Sequence, residues 1–481
     1  MDLSELRAIL DRKWDHDLVP RLVDYVRVPA KSPMFDANWA GHGHLDHVVS
    51  EAATWSRAQA IAGLTLEIVS IPGRTPCIYF DAPATGGLGA TRTVLFYGHL
   101  DKQPEMSGWR EDLGPWKPVY EDGRLYGRGA ADDGYAIYAA LSVIAALDAQ
   151  AIPRPRCVGL IETSEESGSP DLPAYLALLA PRFGDVALVA GLDSGCGNYE
   201  QLWMTTSLRG LVGGSLRVEI LEEGVHSGNA SGIVPSTFRI ARRLLDRIDD
   251  VTTGRVIDAA FHSPIPPERA AQAAAAGAIL GDEVWRQFPW VGCSHGPDAH
   301  ACAQPLTRDP TEAILNRTWR PALSVTGAGG LPAVESAGNV LRPRTVLKLS
   351  LRLPPTVDAA AACARLKALL EQDPPYAARV SFEADAAGAG WNAPETAPWL
   401  RRAADDASRA AFGRDAAWMG EGGTIPFMAM LGTHFPRAQF LVTGVLGPRS
   451  NAHGPNEFLH VPFAKKLSAA VAAIVAAVPG A

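Results

Sequence analysis

From residue 1 to about 30, apolar residues recur at helical spacing. Leu6, Ile9, Leu10, Leu18, Leu22, Val23 and Val26 share one face, which predicts an amphipathic helix ended by Pro29 and Pro33. From Leu64 the period changes, and Leu64 to Ser70 and Pro76 to Phe80 read as strands. Thr93 to Tyr97 (T-V-L-F-Y) is a short continuous apolar run, the pattern of a strand covered on both faces. The same pattern returns at Arg156 to Glu162, at Asp185 to Ala190 and at Arg437 to Thr443. Tyr135 to Ala149 is Ala-rich and apolar throughout, a helix packed into a core. Strands alternating with helices in this way predict an α/β sheet.

The middle of the chain has a different character. Ser207 to Glu219 begins a new β segment, followed by a helix over Ser236 to Asp249 and an irregular Ala- and Pro-rich stretch from about 255 to 312. Strands at Ala322 to Thr326, Val346 to Leu353 and Arg379 to Glu383, with a helix over Asp358 to Glu371, complete a βαβ-like unit inserted into the first. The expected organisation is residues 1–207 and 389–481 as one α/β domain and 208–388 as an α+β insert, with a Gly/Ala hinge at Ala386 to Gly390.

Composition narrows the class. A chain of 481 residues is too long for one ordinary core, and 47% hydrophobic with 20% charged residues is the balance of a soluble globular protein. A formal charge of −8 argues against nucleic acid and anionic membranes as partners. The acidic start Met1-Asp-Leu-Ser-Glu lacks the apolar run of a secretory leader, and no apolar stretch approaches the about 20 residues of a membrane span. Six cysteines without a C-x-x-C pair fit reduced thiols. A cytoplasmic location is expected.

The candidate chemistry lies just beyond the strands. His99 and Asp101 follow Thr93 to Tyr97, and Glu165 and Glu166 follow Arg156 to Glu162. Asp193 follows Asp185 to Ala190, His453 follows Arg437 to Thr443, and Asp132 follows a short strand at Arg124 to Tyr126. Ligands of open α/β sheets collect at the carboxyl ends of strands. His99, Asp132, Glu166, Asp193 and His453 form a mixed nitrogen and oxygen set suited to Zn²⁺, Mn²⁺ or Co²⁺. If one carboxylate bridges, two ions each have three protein ligands and an open position, the catalytic pattern. Asp132 is the natural bridge, because Gly129-Ala-Ala lets the backbone approach closely. Asp101 is placed to accept the other ring N–H of His99. One member of Glu165-Glu166 binds metal and the other acts as general base; spacing alone leaves the order open.

The motifs G-H-L-D, G-R-G-A-A-D-D, T-S-E-E-S-G-S, G-L-D-S-G, V-H-S-G and N-A-H-G-P-N-E occur in this order. Together they resemble the dinuclear zinc peptidase family of carboxypeptidase G, aminoacylase and the cytosolic dipeptidases, most closely the carnosinase-type branch. The resemblance covers the chain from about residue 20 to its end. It implies a mixed-sheet zinc-peptidase domain with an inserted lid and dimerisation domain, and two divalent ions per subunit, zinc first, with manganese or cobalt as alternatives. By the family pattern His99 and Asp193 would hold one ion, Glu166 and His453 the other, and Asp132 would bridge. Asp101 would hold the His99 ring, Glu165 would be the general base, and the Asp132–Asp133 peptide would be cis. His226 would reach the partner subunit's site in a homodimer and stabilise the oxyanion, Arg352 would grip the substrate's C-terminal carboxylate, and Asn339 and Thr424 would contact substrate.

The implied activity is hydrolysis of dipeptides. An N-acyl-amino-acid deacylase or carboxypeptidase would share the metal residues, and an inactive dimeric binding protein would have lost some of them. Three departures bear on the substrate: Gly134 stands where the family has Lys after the Asp pair, Asn339 where the branch often has Thr, and Thr424 where it often has Ser. They make carnosine itself a poor expectation. His42-Gly-His44-Leu-Asp-His47 reads as a loop or helix cap, and the irregular Cys293-x-His295 and His300-x-Cys302 spacing does not match a structural zinc site.

Overall fold

The computed structural model describes residues 2–88, 92–292 and 302–479. The chain divides into two compact units. The first comprises Met1–Thr206, Ala393–Met419 and Met430–Ala481, and the second Ser207–Asn392 with Gly420–Ala429. The segment Gly420–Ala429, which the sequence pattern left with the C-terminal part, thus groups with the insert.

The first unit is built on a six-stranded mixed sheet in the order Thr65–Val69, Cys77–Ala82, Arg156–Glu162, Thr93–His99, Val186–Gly191, Gln439–Val442. The last four strands run parallel, and the two at the other edge pair antiparallel. Every residue of Thr93–His99 is buried, as its unbroken apolar run requires at a sheet centre covered on both faces. The helix Ala136–Ala149 is buried on nearly all sides, and the N-terminal helical run Leu3–Lys13, Trp14–Leu18 and Val19–Arg27 buries Leu6, Leu10, Leu18, Leu22 and Val26 along one stripe. Among the described residues one helical stretch, Ala130–Ala149, is long and apolar enough to cross a membrane, and it is a core helix. A small antiparallel sheet of Phe458–His460, Arg124–Tyr126 and Val119–Glu121 lies in the same unit.

The second unit has a four-stranded sheet in the order Ala322–Gly329, Arg344–Leu353, Gly210–Glu219, Arg379–Gly388, antiparallel throughout rather than βαβ-like. Strict alternation along Arg344–Leu353 sends Leu347, Leu349, Leu351 and Leu353 into a core with Ile240 and Leu244 of Thr237–Leu245 and Leu366 and Leu370 of Ala359–Glu371. Arg352 therefore faces the opposite side. The stretch expected to be irregular contains the helix Pro267–Leu280, and a second helix, Pro310–Thr318, begins at its end. Alanine's helix propensity and a proline in the first turn of each outweigh the loop-like composition. Cys302 is disulfide-bonded, whereas Cys77, Cys157, Cys196 and Cys363 are free, so the expectation of reduced thiols fails at Cys302. Residues 293–301 of the Cys/His stretch lie outside the described residues. His42 lies at a helix end, bonded to Asp36, with His44 opening the next helix.

Candidate metal centre

Three of the parallel strands deliver side chains to one place. His99 is the last residue of its strand, opposite Glu162 of the neighbouring one, and the Leu100 N–H continues the ladder to the Glu162 carbonyl at 2.9 Å. Glu165 and Glu166 sit in a single turn of 3-10 helix just after that strand, and Asp193 lies beyond Val186–Gly191. Asp132 enters from the turn at Ala130–Gly134, and the peptide between Asp132 and Asp133 is cis, as the resemblance implies. Gly98 makes this approach possible: a Cβ there would lie 2.8 Å from an Asp133 carboxylate oxygen and 2.7 Å from the Ala136 Cβ.

The five donor residues converge. His99 Nε2 lies 3.4 Å from Asp132 Oδ1 and 3.6 Å from Asp193 Oδ2. His453 Nε2 lies 3.0 Å from Asp132 Oδ2 and 3.4 Å from Glu166 Oε2. One oxygen of Asp132 thus faces each histidine. His99, Asp132 and Glu166, and likewise His99, Glu165 and Asp193, bring donor atoms within 4.8 Å of one another. The His99 side chain is fully buried, and that of His453 is 57% exposed, so the centre is closed on one side and open on the other.

The donor set passes a test of fit for divalent cations. His99 Nε2 is buried with no hydrogen-bond partner although two carboxylates lie near it, the situation of a ligand atom awaiting an ion. Burial pushes the Glu165 and Glu166 carboxyls well above the usual range, and burial with repulsion from Asp132 pushes Asp193 up to about 7. Asp132 is also buried, but the nearby His453 and His99 imidazoles outweigh the desolvation and hold its carboxyl well below the ordinary value. The His99 imidazole loses charge stabilisation to burial, but its carboxylate neighbours more than restore it, raising its pKa well above normal. Carboxyls crowded out of water are what a dication neutralises.

Asp101 occupies a place that spacing alone did not show. Its carboxylate accepts the backbone N–H groups of Glu165 (3.1 Å) and Glu166 (3.0 Å), while its oxygen Oδ1 lies 3.4 Å from His99 Nδ1. The nearer oxygen to that ring nitrogen is the Asp101 carbonyl, at 3.1 Å. The residue therefore joins the His99 strand end to the Glu165–Glu166 turn. Gln103 donates to Glu166 Oε2 at 2.5 Å, and the buried Glu162 carboxylate collects the hydroxyls of Tyr97, Ser164 and Ser169 below the same turn. No sequence signal beyond nearness to the motifs marked either residue.

The remaining candidates belong to the second unit. His226 is exposed, and its Nδ1 accepts the Gly228 N–H at 3.1 Å, which leaves the proton of the neutral ring on Nε2. Arg352 donates to the Thr424 hydroxyl at 3.0 Å, and that hydroxyl donates to the Arg209 carbonyl at 2.7 Å. Asn339 accepts the Ser227 N–H through its carbonyl at 2.9 Å, one residue along from His226. Arg209, unmarked in the sequence, is largely buried; desolvation, then Arg352 and Arg317, push its guanidinium down to about 9.

Four adjacent parallel strands of a mixed sheet, with a carboxylate-rich, histidine-containing centre at their ends, are the architecture of a hydrolase of the metallopeptidase type. The sequence profile of peptidase family M20/M25/M40 matches residues 95–478, and the chain belongs to that family. It is 26% identical over 445 residues to the cysteinylglycine-S-conjugate dipeptidase of Corynebacterium striatum, covering 89% of this chain and 92% of that protein. To the Cys-Gly metallodipeptidase DUG1 of Saccharomyces cerevisiae it is 26% identical over 403 residues, covering 79% and 78%. The solved structures of Dug1p from the same yeast (TM-score 0.76, 21% identity, 99% of this chain and 98% of that one) and of human carnosine dipeptidase 1 (TM-score 0.75, 22%, 98% and 99%) share its fold.

Proposed function

We propose that the protein is a metal-dependent dipeptidase in which His99 and Asp193 hold one divalent ion, Glu166 and His453 a second, and Asp132 both. The observation that carries the reading is Asp132, whose two oxygens face the two histidines at 3.4 and 3.0 Å. The ions, zinc in the first instance, supply Lewis acidity toward the scissile carbonyl and the attacking water. Glu165 takes the proton of that water and delivers it to the leaving amine, a role suited to a carboxyl whose pKa burial raises. Asp101 holds the Glu165–Glu166 turn and the His99 ring in register. His226, with its proton on Nε2, donates to the developing oxyanion of the partner subunit's site in a homodimer. Arg352 grips the C-terminal carboxylate of the peptide, with Thr424 and Asn339 beside it. A cytoplasmic location belongs to the same proposal.

A dipeptidase is the activity proposed because the Corynebacterium striatum and Saccharomyces cerevisiae relatives, matched over most of the chain, carry that name. The test is turnover of Zn²⁺- and Mn²⁺-reconstituted protein on free dipeptides, N-acetyl amino acids and longer peptides. Cleavage confined to dipeptides supports the reading. Preference for N-acetyl amino acids would make the protein a deacylase on the same metal residues, and preference for longer peptides a carboxypeptidase.

A further inference from the structure

His453 is the one half-exposed donor of the centre, and its backbone sits at φ +64, in the left-handed region that costs a non-glycine residue energy. Side-chain packing therefore does little to hold it. Its main chain is held instead. The Arg128 guanidinium donates through Nη2 to the carbonyls of His453 (3.1 Å) and Gly454 (2.9 Å). Through Nη1 it meets Glu457 Oε2 at 2.6 Å, and through Nε the Pro104 carbonyl at 3.2 Å.

The other oxygen of Glu457 accepts the Gly129 N–H at 2.9 Å, and the Glu457 carbonyl accepts the Gly127 N–H at 3.0 Å, extending the pairing of Phe458–His460 with Arg124–Tyr126. Arg128 and Glu457 are 1% and 0% exposed, so the pair is fully removed from water. Gly129, at φ +82, lets the loop pass against the buried Lys102 side chain, which a Cβ would meet at 2.8 Å. The loop so fastened carries Asp132 three residues further on.

Neither member of this ion pair offers an atom to the donor set. Five hydrogen bonds through this pair and its neighbours join the segment bearing Asp132 to the segment bearing His453. Only a guanidinium has a planar fork able to reach one carboxylate and several carbonyls at once. We propose that Arg128 and Glu457 are positioning residues that clasp the His453 loop to the Asp132 loop and thereby set the affinity of the metal position that His453 and Glu166 complete. The His99–Asp193 position, built on strand ends, depends on them far less. The inference rests on the two-ion reading above.

The test compares metal binding by wild type, Glu457→Gln, Arg128→Lys and His453→Ala. Each metal-free protein is titrated with Zn²⁺ against a chromophoric chelator, and bound metal is counted after dialysis. Wild type should bind two ions. Glu457→Gln and Arg128→Lys should keep one tight ion and bind the second about 10- to 100-fold more weakly, the range for outer partners of metal ligands. His453→Ala should show the same selective loss, and adding Glu457→Gln to it should cause no further loss.

Wild-type affinity at both positions in the two clasp variants would overturn the proposal. So would equal weakening of both ions in step with lost stability of the metal-free protein, which is what a merely structural pair gives. If Glu457→Gln does not fold, Glu457→Asp, which keeps the charge and withdraws it by one methylene, supplies the same readout. A wild type that binds fewer than two ions would overturn the two-ion reading, and the clasp with it.

Discussion

Replacing Asp101 by Asn keeps shape and volume but exchanges one carboxylate oxygen for an NH₂ group. In the native protein the two oxygens accept the Glu165 and Glu166 amides at 3.1 and 3.0 Å. Asparagine can satisfy one of them and must present a donor to the other. Losing a charge-assisted hydrogen bond and leaving one buried amide unpaired costs about 2 kcal/mol. Because the two amides belong to the residues that would supply base and ligand, that cost falls on the metal-bound arrangement. It corresponds to an affinity loss of about 30-fold, inside the range seen for partners of metal ligands. The assay is a chelator-competition titration with Zn²⁺, paired with denaturant unfolding of the metal-free protein. The expected result is metal affinity down about 30-fold, with metal-free stability lowered by no more than about 2 kcal/mol. Asp101→Asn with wild-type affinity and wild-type turnover would refute the reasoning.

Other outcomes follow from the same geometry. Glu165→Gln should lower kcat by about 10²- to 10⁴-fold, the usual worth of a general base, with two ions still bound; loss of metal would make Glu165 a ligand instead. His226→Ala should lower kcat strongly with metal content unchanged, and a change in metal content would show the residue misplaced. Metal binding should release protons, because Asp193, Glu165 and Glu166 all have raised pKa values in the metal-free protein and are protonated below them. A protonated Asp193 must ionise to bind, so affinity should rise with pH up to about 7, where that carboxyl titrates. Calorimetry at pH 6.5 in buffers of differing ionisation enthalpy checks this, and zero release would refute it.

Much of this protein is set locally. The unbroken apolar runs ending at Tyr97, Glu162 and Ala190 can satisfy their backbone and bury both faces only as inner strands, so the parallel sheet and the strand-end location of His99, Glu165, Glu166 and Asp193 follow from pattern. The alternation in Arg344–Leu353 likewise fixes which side Arg352 faces. Composition misled where propensity outweighed it, as in the helix Pro267–Leu280.

What chain-local pattern could not express is who meets whom across hundreds of residues. Arg128 and Glu457 are separated by 329 positions, and their bond exists only because Phe458–His460 pairs with Arg124–Tyr126. Asp101 reaches the Glu165 and Glu166 amides 64 and 65 residues away, turning an expected partner of His99 into a brace for the whole turn. Hydrophobic periodicity encodes which face of an element is buried, because burial acts on each residue separately. Polar partnerships depend on pairs of atoms brought within about 3 Å, and only the folded chain decides those.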